Sequence, residues 1–253
     1  MSGLAGRVAL VTGAEVGIGR ATAMALARDG ADVAVHYYSN EAGAIEATRE
    51  IKSLGRHAAV FQGDLTKSAD VARVVDGAIA RFGHIDILVN NAGGLLGRHA
   101  LVDMPEAFVH AVLDVNVLTT FLCCKAVAPG MIARKQGAIV NLTSLAAHNG
   151  GGPGASIYAA AKAAVLALTK AYAKELAPHG IRVNAVSPGL IGGTPFHNTF
   201  TSAEAFAAAV KTIPLGRGGE PDDVAKVIAF LAGDAAGFLA GETIEINGGM
   251  NMR

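Results

Sequence analysis

Seven short runs rich in valine, isoleucine and leucine recur along the chain: RVALVT, ADVAVHY, HAAVFQ, IDILVN, GAIVNLT, IRVNAVS and ETIEIN. Between them lie longer segments, including Ile18 to Arg28, Glu41 to Leu54, Ala69 to Phe82, Pro105 to Met131, Tyr158 to Ala177 and Pro221 to Leu231. Most of these carry an apolar stripe at helical spacing. Strands that read as nearly unbroken apolar runs are those buried on both faces. The alternation therefore predicts an α/β fold: a doubly wound, mainly parallel seven-stranded sheet with helices on both faces. Such sheets bind ligands beyond the carboxyl ends of their strands.

At 253 residues the chain is expected to form one domain, 1–253, with a lid segment over about residues 190–212. Lysine plus arginine and aspartate plus glutamate both number 21, which gives no basic surface for a nucleic acid. The adjacent cysteines Cys123 and Cys124 cannot build a disulfide framework and fit a reducing compartment. The first apolar run is short and follows no basic leader, and no other segment reads as a membrane span. A cytoplasmic protein with no membrane partner is expected.

After the first run stands TGAEVGIG, where glycines crowd the handover from strand to helix. One glycine makes a tight turn, another lets backbone approach a pyrophosphate, and the helix N-terminus offers free N–H groups. The spacing is G-x-x-x-G-x-G, and a purely structural turn is the competing reading. Asp64 follows the third strand and either contacts a ligand or caps the helix near Ser68. Asn90 to Gly93, NNAG, follow the fourth.

In SIYAAAKAAVLALTKAYAKEL, Tyr158 and Lys162 share one helix face. A nearby ammonium favours a phenolate, so Lys162 is expected to lower the Tyr158 pKa. Ser144 ends the fifth strand, where a hydroxyl can hold a carbonyl oxygen, with Thr143 as its rival. Asn116 interrupts a long helical segment, either for a specific purpose or as a buried amide bonded to backbone.

In their joint order, Thr12 to Gly19, Asp64, Asn90 to Gly93, Asn116, Ser144, Tyr158, Lys162 and Pro188-Gly189 resemble the motifs of the classical short-chain dehydrogenase/reductase family over essentially the whole chain. The resemblance implies a Rossmann-type fold and hydride transfer between NAD or NADP and a small-molecule carbonyl or secondary alcohol. Asn116, Ser144, Tyr158 and Lys162 would be catalytic: Tyr158 as acid or base, Ser144 orienting the carbonyl, Lys162 holding the nicotinamide ribose and Asn116 a relay water. Gly13, Gly17, Ile18 and Gly19 would wrap the pyrophosphate and Asp64 would bond to the adenine, with Glu15, Val16 and Leu65 also in the cofactor site. Asn90 would steady the sheet and cofactor loop. Asn91, Ala92, Gly93, Pro188, Gly189, Ile191 and Thr194 would complete the cofactor site with Tyr158 and Lys162. Ser144 and Tyr158 stand slightly further apart than is usual in the family, so HNGGGPGAS is expected to bulge.

The end of strand two, HYYSN, offers neither the carboxylate that favours a free ribose hydroxyl nor a clear cation for a phosphate. Tyr37, Tyr38, Ser39 and Asn40 would line the adenosine end, with His36 beside them or simply ending its strand. Ser39 or Asn40 bonding a phosphate makes NADP the expected cofactor. Phe196, Phe200 and Phe206 either cover an apolar pocket or pack a helical subdomain. His148 and His197 would contact substrate or lie on the surface. The pattern is similar to 3-oxoacyl-(acyl-carrier-protein) reductases and to sugar or polyol dehydrogenases. A carrier protein is acidic, and Arg134, Lys135 and Lys174 are candidates for a basic rim. A nicotinamide-sensing binding protein that has lost its chemistry is the alternative of another class. The resemblance further implies a homotetramer paired through the segments around Pro105 to Met131 and Tyr158 to Ala177.

Overall fold

The computed structural model describes residues 3–194, 199–200 and 202–252. Its strands are β1 (Val8–Val11), β2 (Asp32–Tyr37), β3 (Ala58–Gln62), β4 (Ile87–Asn90), β5 (Gly137–Leu142), β6 (Ile181–Pro188) and β7 (Thr243–Ile246). They form one sheet in the order β3-β2-β1-β4-β5-β6-β7, and every pairing is parallel. The order reverses direction at β1 and β4, so a crevice opens between their carboxyl ends.

Two layers of helices cover the sheet, and alternation along the strands decides which residues face which layer. Ala9 and Val11 of β1 join one core cluster, with Val33 and Val35 of β2. That layer contains α1 (Gly17–Arg28), α2 (Glu41–Ser53) and, near the end of the chain, a helix Pro221–Ala232. Leu10, Ala34, Leu88 and Ile139 point the other way, into a second cluster with α3 (Ser68–Phe82) and two later helices. Burial on both faces explains why these strands read as unbroken apolar runs.

The segment Pro105 to Met131, expected as one helix, is three pieces. α4 (Glu106–Leu113) passes into a π-helical turn, Asp114–Leu118, and then into α5 (Thr119–Arg134). The Thr119 N–H donates to the Asp114 carbonyl, the wider i to i−5 spacing of a π turn. By length and composition alone the combined run Glu106–Arg134 is long and apolar enough to cross a membrane, as core helices also can be. Here it is built into the fold, with Cys123, Cys124, Val127 and Met131 in the core beneath the sheet. Only 33% of its apolar window is buried, however. Burial pushes both thiols above their ordinary pKa, and Cys124 accepts a hydrogen bond from Asn90. They are packing groups.

A short helix α6 (Ala146–Asn149) fills part of the loop before α7 (Ser156–Leu176). Helix α8 (Ala203–Val210), absent from the sequence-based reading, precedes α9, the helix Pro221–Ala232. Ser202 caps α8 through a hydrogen bond from the Ala205 N–H.

Candidate active site

A cavity of about 990 Å³ runs along the carboxyl edge of the sheet, from the glycine loop after β1 to the start of α7. Gly13, Glu15, Val16, Gly17, Ile18, Gly19, Tyr38, Asp64, Leu65, Asn91, Ala92 and Gly93 line one part of it. Ser144, Tyr158, Lys162, Pro188, Gly189, Ile191 and Thr194 line the remainder. Tyr37, Ser39 and Asn116 are not on its wall. Tyr37 is buried behind the strand end, while Asn116 lies beneath the loop after β4.

The glycine loop is built for an anionic ligand with a polar backbone-facing edge. Val16 gives α1 no side-chain cap, so first-turn N–H groups face the cavity. A Cβ on Gly19 would collide with the Gly13 carbonyl, so only glycine lets the helix start this close to the turn. Asn91 fastens the loop: its side-chain amide donates to the carbonyls of Thr12 (2.8 Å) and Gly13 (2.9 Å). The Thr12 hydroxyl in turn accepts from the N–H groups of Asn91 and Ala92. Asn90, expected to steady both sheet and loop, ties the sheet to the helices beneath it through Asn141 and Cys124, with no bond to the glycine loop among those of the described residues. It donates to Asn141 Oδ1 (2.8 Å), and Asn141 donates to Thr169 on α7. Adjacent strand residues point to opposite faces, which explains the division of labour between Asn90 and Asn91.

Asp64 accepts from the Thr66 N–H and hydroxyl and pairs with Lys67 at 3.5 Å; it organises the turn before α3 while remaining on the cavity wall. The Thr66 hydrogen bonds hold its carboxyl below the usual carboxylate range. His36 bridges Gly13 N–H at Nδ1 (3.1 Å) and the Gly63 carbonyl at Nε2 (3.1 Å). Burial brings its pKa down to about 4, so it is a neutral strut at neutral pH. Asn40 is committed to capping α2 through the Gly43 N–H.

At the other end of the cavity, Tyr158 and Lys162 project from the first turns of α7 and are both buried. The Tyr158 phenol is hydrogen-bonded to the Ser144 hydroxyl. Lys162 Nζ lies 5.8 Å from the Tyr158 ring centroid and donates to the Leu142 carbonyl at 3.0 Å. Burial pushes the Tyr158 pKa up to about 12, with Ser144 pulling it back, and Lys162 down to about 8. The shift at Tyr158 is thus upward, opposite to the lowering expected from Lys162, with burial as its largest cause and Ser144 as the group that opposes it. Thr143, the rival hydroxyl, is buried and donates to the Val186 carbonyl, which leaves Ser144 facing the cavity. Asn116 donates to the carbonyls of Gly94 (2.8 Å) and Val112 (2.9 Å) and accepts from the Gly94 N–H (3.1 Å). The buried-amide reading describes its side chain.

Three further expectations change. Arg134 and Lys135 end α5 just before β5, and Lys174 lies late in α7 before β6. In a parallel sheet that is the amino edge, opposite the cavity, so none forms a rim. Arg98, unremarked in the sequence, lines the cavity and donates to the Pro153 carbonyl. His148 is mostly buried and pairs with Glu245 at 3.0 Å, rather than lying on the surface. Phe200 packs by the cluster containing Tyr158, and the Phe206 ring abuts Gly192 and Gly218; Phe196 and His197 lie outside the described residues.

Residues 13–251 match the family model adh_short_C2, described as Enoyl-(Acyl carrier protein) reductase. The chain belongs to the short-chain dehydrogenase/reductase family. This short-chain dehydrogenase/reductase is 42% identical over 257 aligned positions to a 3-oxoacyl-(acyl-carrier-protein) reductase of Synechocystis, covering 100% of both chains. It is 41% identical over 244 positions to the 3-oxoacyl-(acyl-carrier-protein) reductase FabG of Staphylococcus epidermidis, covering 96% of this chain and 98% of the relative. The crystal structure of the NADH-dependent reductase A1-R' responsible for alginate metabolism superposes with a TM-score of 0.91 at 34% identity, covering 100% of both chains. As a short-chain dehydrogenase/reductase, the protein is an NAD(P)-dependent oxidoreductase acting on CH–OH groups.

Proposed function

We propose that the protein reduces the ketone of a 3-oxoacyl thioester, with Tyr158 as the proton donor. The observation that carries this reading is the buried Tyr158 phenol on the cavity wall, hydrogen-bonded to Ser144 and flanked by Lys162. A pKa of about 12 keeps the phenol protonated at neutral pH, the state from which it gives a proton to a carbonyl oxygen. Ser144 orients that oxygen through its hydroxyl. Lys162 supplies positive charge that favours the developing phenolate and holds the nicotinamide ribose. Asn116 sets the loop after β4 through its bonds to the Gly94 backbone. A bound nicotinamide dinucleotide supplies the hydride; the glycine loop, Asp64, Asn91 and the segment from Pro188 to Thr194 hold it.

The two full-length relatives named as 3-oxoacyl-(acyl-carrier-protein) reductases support the substrate class. Arg98 at the cavity gives an acidic carrier protein a cation to meet. Residues 1–253 are read as a single domain; of the segment 190–212 expected as a lid, residues 195–198 and 201 lie outside the described residues. A homotetramer in the cytoplasm, paired through the helices around Pro105 to Met131 and Tyr158 to Ala177, completes this reading, and the exposed Phe121 on α5 is an apolar group such pairing would cover.

The test is turnover of acetoacetyl thioester beside a panel of sugars and polyols, with Tyr158→Phe as control. Thioester reduction that falls about 10²- to 10⁴-fold in Tyr158→Phe, with dinucleotide binding retained, is expected. Polyol oxidation without thioester reduction would move the protein to the sugar and polyol dehydrogenases. Binding without turnover on any substrate would make it a sensor.

A further inference from the structure

The end of β2 lacks the carboxylate that usually meets a ribose hydroxyl, yet a carboxylate stands there from another part of the chain. Glu15 belongs to the glycine loop and lines the cavity next to Tyr38. The Tyr38 backbone N–H donates to its carboxylate, which ties the side chain to the residue immediately after β2. The first turn of α2 closes over the same place: a Cβ on Gly43 would come within 2.7 Å of the Glu15 carbonyl. Glu15 is therefore held between loop, strand end and helix rather than swinging in solvent.

Its second oxygen, Oε2, is buried and has no hydrogen-bond partner. A buried carboxylate oxygen without a donor is costly, and no partner among the described residues offsets the negative charge that Glu15 places at this end of the cavity. No compensating cation is at hand. Among the described residues, the basic side chains on the cavity wall are Arg98, Lys162 and the neutral His36. Arg98 and Lys162 belong to the opposite end, bonded to the carbonyls of Pro153 and Leu142. Arg20, on α1, is taken up by Glu46 and Glu50, and Lys67 by Asp64.

We infer that Glu15 sets the cofactor preference, accepting a hydrogen bond from the adenosine ribose hydroxyl of NAD and repelling the phosphate that NADP carries there. This replaces the expectation of NADP drawn from Ser39 and Asn40, because Ser39 is off the cavity wall and Asn40 caps α2. The A1-R' reductase, of matching fold, is described as NADH-dependent.

The inference rests on the nicotinamide-dependent reading, and one binding experiment separates the two. NADH and NADPH are titrated by fluorescence into the wild type, Glu15→Gln and Glu15→Ser without substrate. The wild type is expected to bind NADH at least about tenfold tighter than NADPH, the scale on which like charges discriminate in a partly desolvated site. Both neutral variants shrink that ratio by about tenfold, mainly by gaining NADPH affinity. General damage to the loop would weaken both ligands and leave the ratio unchanged. A wild type that prefers NADPH, or a ratio unmoved in both variants, would overturn the role of Glu15. Failure of the wild type to bind either dinucleotide would overturn the nicotinamide reading on which it rests.

Discussion

Replacing Lys162 with methionine is expected to stabilise the cofactor-free protein near neutral pH while destroying its turnover. Burial brings the ammonium from an ordinary pKa of 10.5 to about 8. At about 1.4 kcal/mol per pH unit, keeping that charge inside the fold near pH 7 costs about 3 kcal/mol. Methionine fills a similar volume without charge, but it deletes the 3.0 Å bond to the Leu142 carbonyl. Leaving that carbonyl without its donor takes back about 1–2 kcal/mol, for a net gain of about 1–2 kcal/mol. The sign of the pH dependence makes the test specific. Between the lowered pKa and the ordinary one, the unfolded chain binds more protons than the folded chain, so wild-type stability rises with pH across that window. Lys162→Met lacks this rise, and its advantage over wild type should shrink by about 2 kcal/mol between pH 7 and about pH 9.5. Tyr158, raised from 10.0 to about 12, opposes the trend only above its ordinary pKa, beyond that range. Urea unfolding followed by circular dichroism at both pH values and one protein concentration provides the measurement. An advantage that stays constant with pH would show that Lys162 does not carry the desolvation its burial implies.

Asn91→Ala removes both ties from β4 to the glycine loop, exposing the Thr12 and Gly13 carbonyls to a gap. It should cost about 1–3 kcal/mol of stability and weaken dinucleotide binding, read by thermal melts and titration; unchanged binding would show that the loop holds its shape unaided. Ser144→Ala should lower kcat while Thr143→Val lowers stability, because the Ser144 hydroxyl is bonded to Tyr158 and the Thr143 hydroxyl is spent on the Val186 carbonyl. Steady-state kinetics beside urea melts separates them, and the reverse pattern would exchange their assignments.

All seven runs appear as strands; the central ones were legible because burial on both faces leaves a continuous apolar signature, whereas the edge strands β3 and β7 are only partly buried. Tyr158 and Lys162 were legible because helical spacing fixes a common face. What sequence could not show was the outcome of competition at close range. Burial raises the Tyr158 pKa where Lys162 was expected to lower it, Asn91 rather than Asn90 reaches back to the loop, and Arg134, Lys135 and Lys174 fall on the amino edge once chain direction is fixed. Glu15 was legible as a residue of the cofactor site but not as a neighbour of the β2 end. Its meaning depends on Tyr38, 23 positions away in sequence but adjacent in space.

The π turn at Asp114–Leu118 works as a phase shift. One extra residue enters the winding, so whatever follows is rotated by about a quarter of a turn or more relative to an uninterrupted helix. The α4 half consequently faces the Tyr158 side of the molecule through Val112, while the α5 half faces the sheet through Cys124 and Met131. Deleting a single residue between Leu113 and Thr119 would remove the π turn and let α4 run on into α5 with ordinary helical winding. It would also turn one half away from its neighbours, so the most ordinary helix available to this segment is the one the protein cannot use.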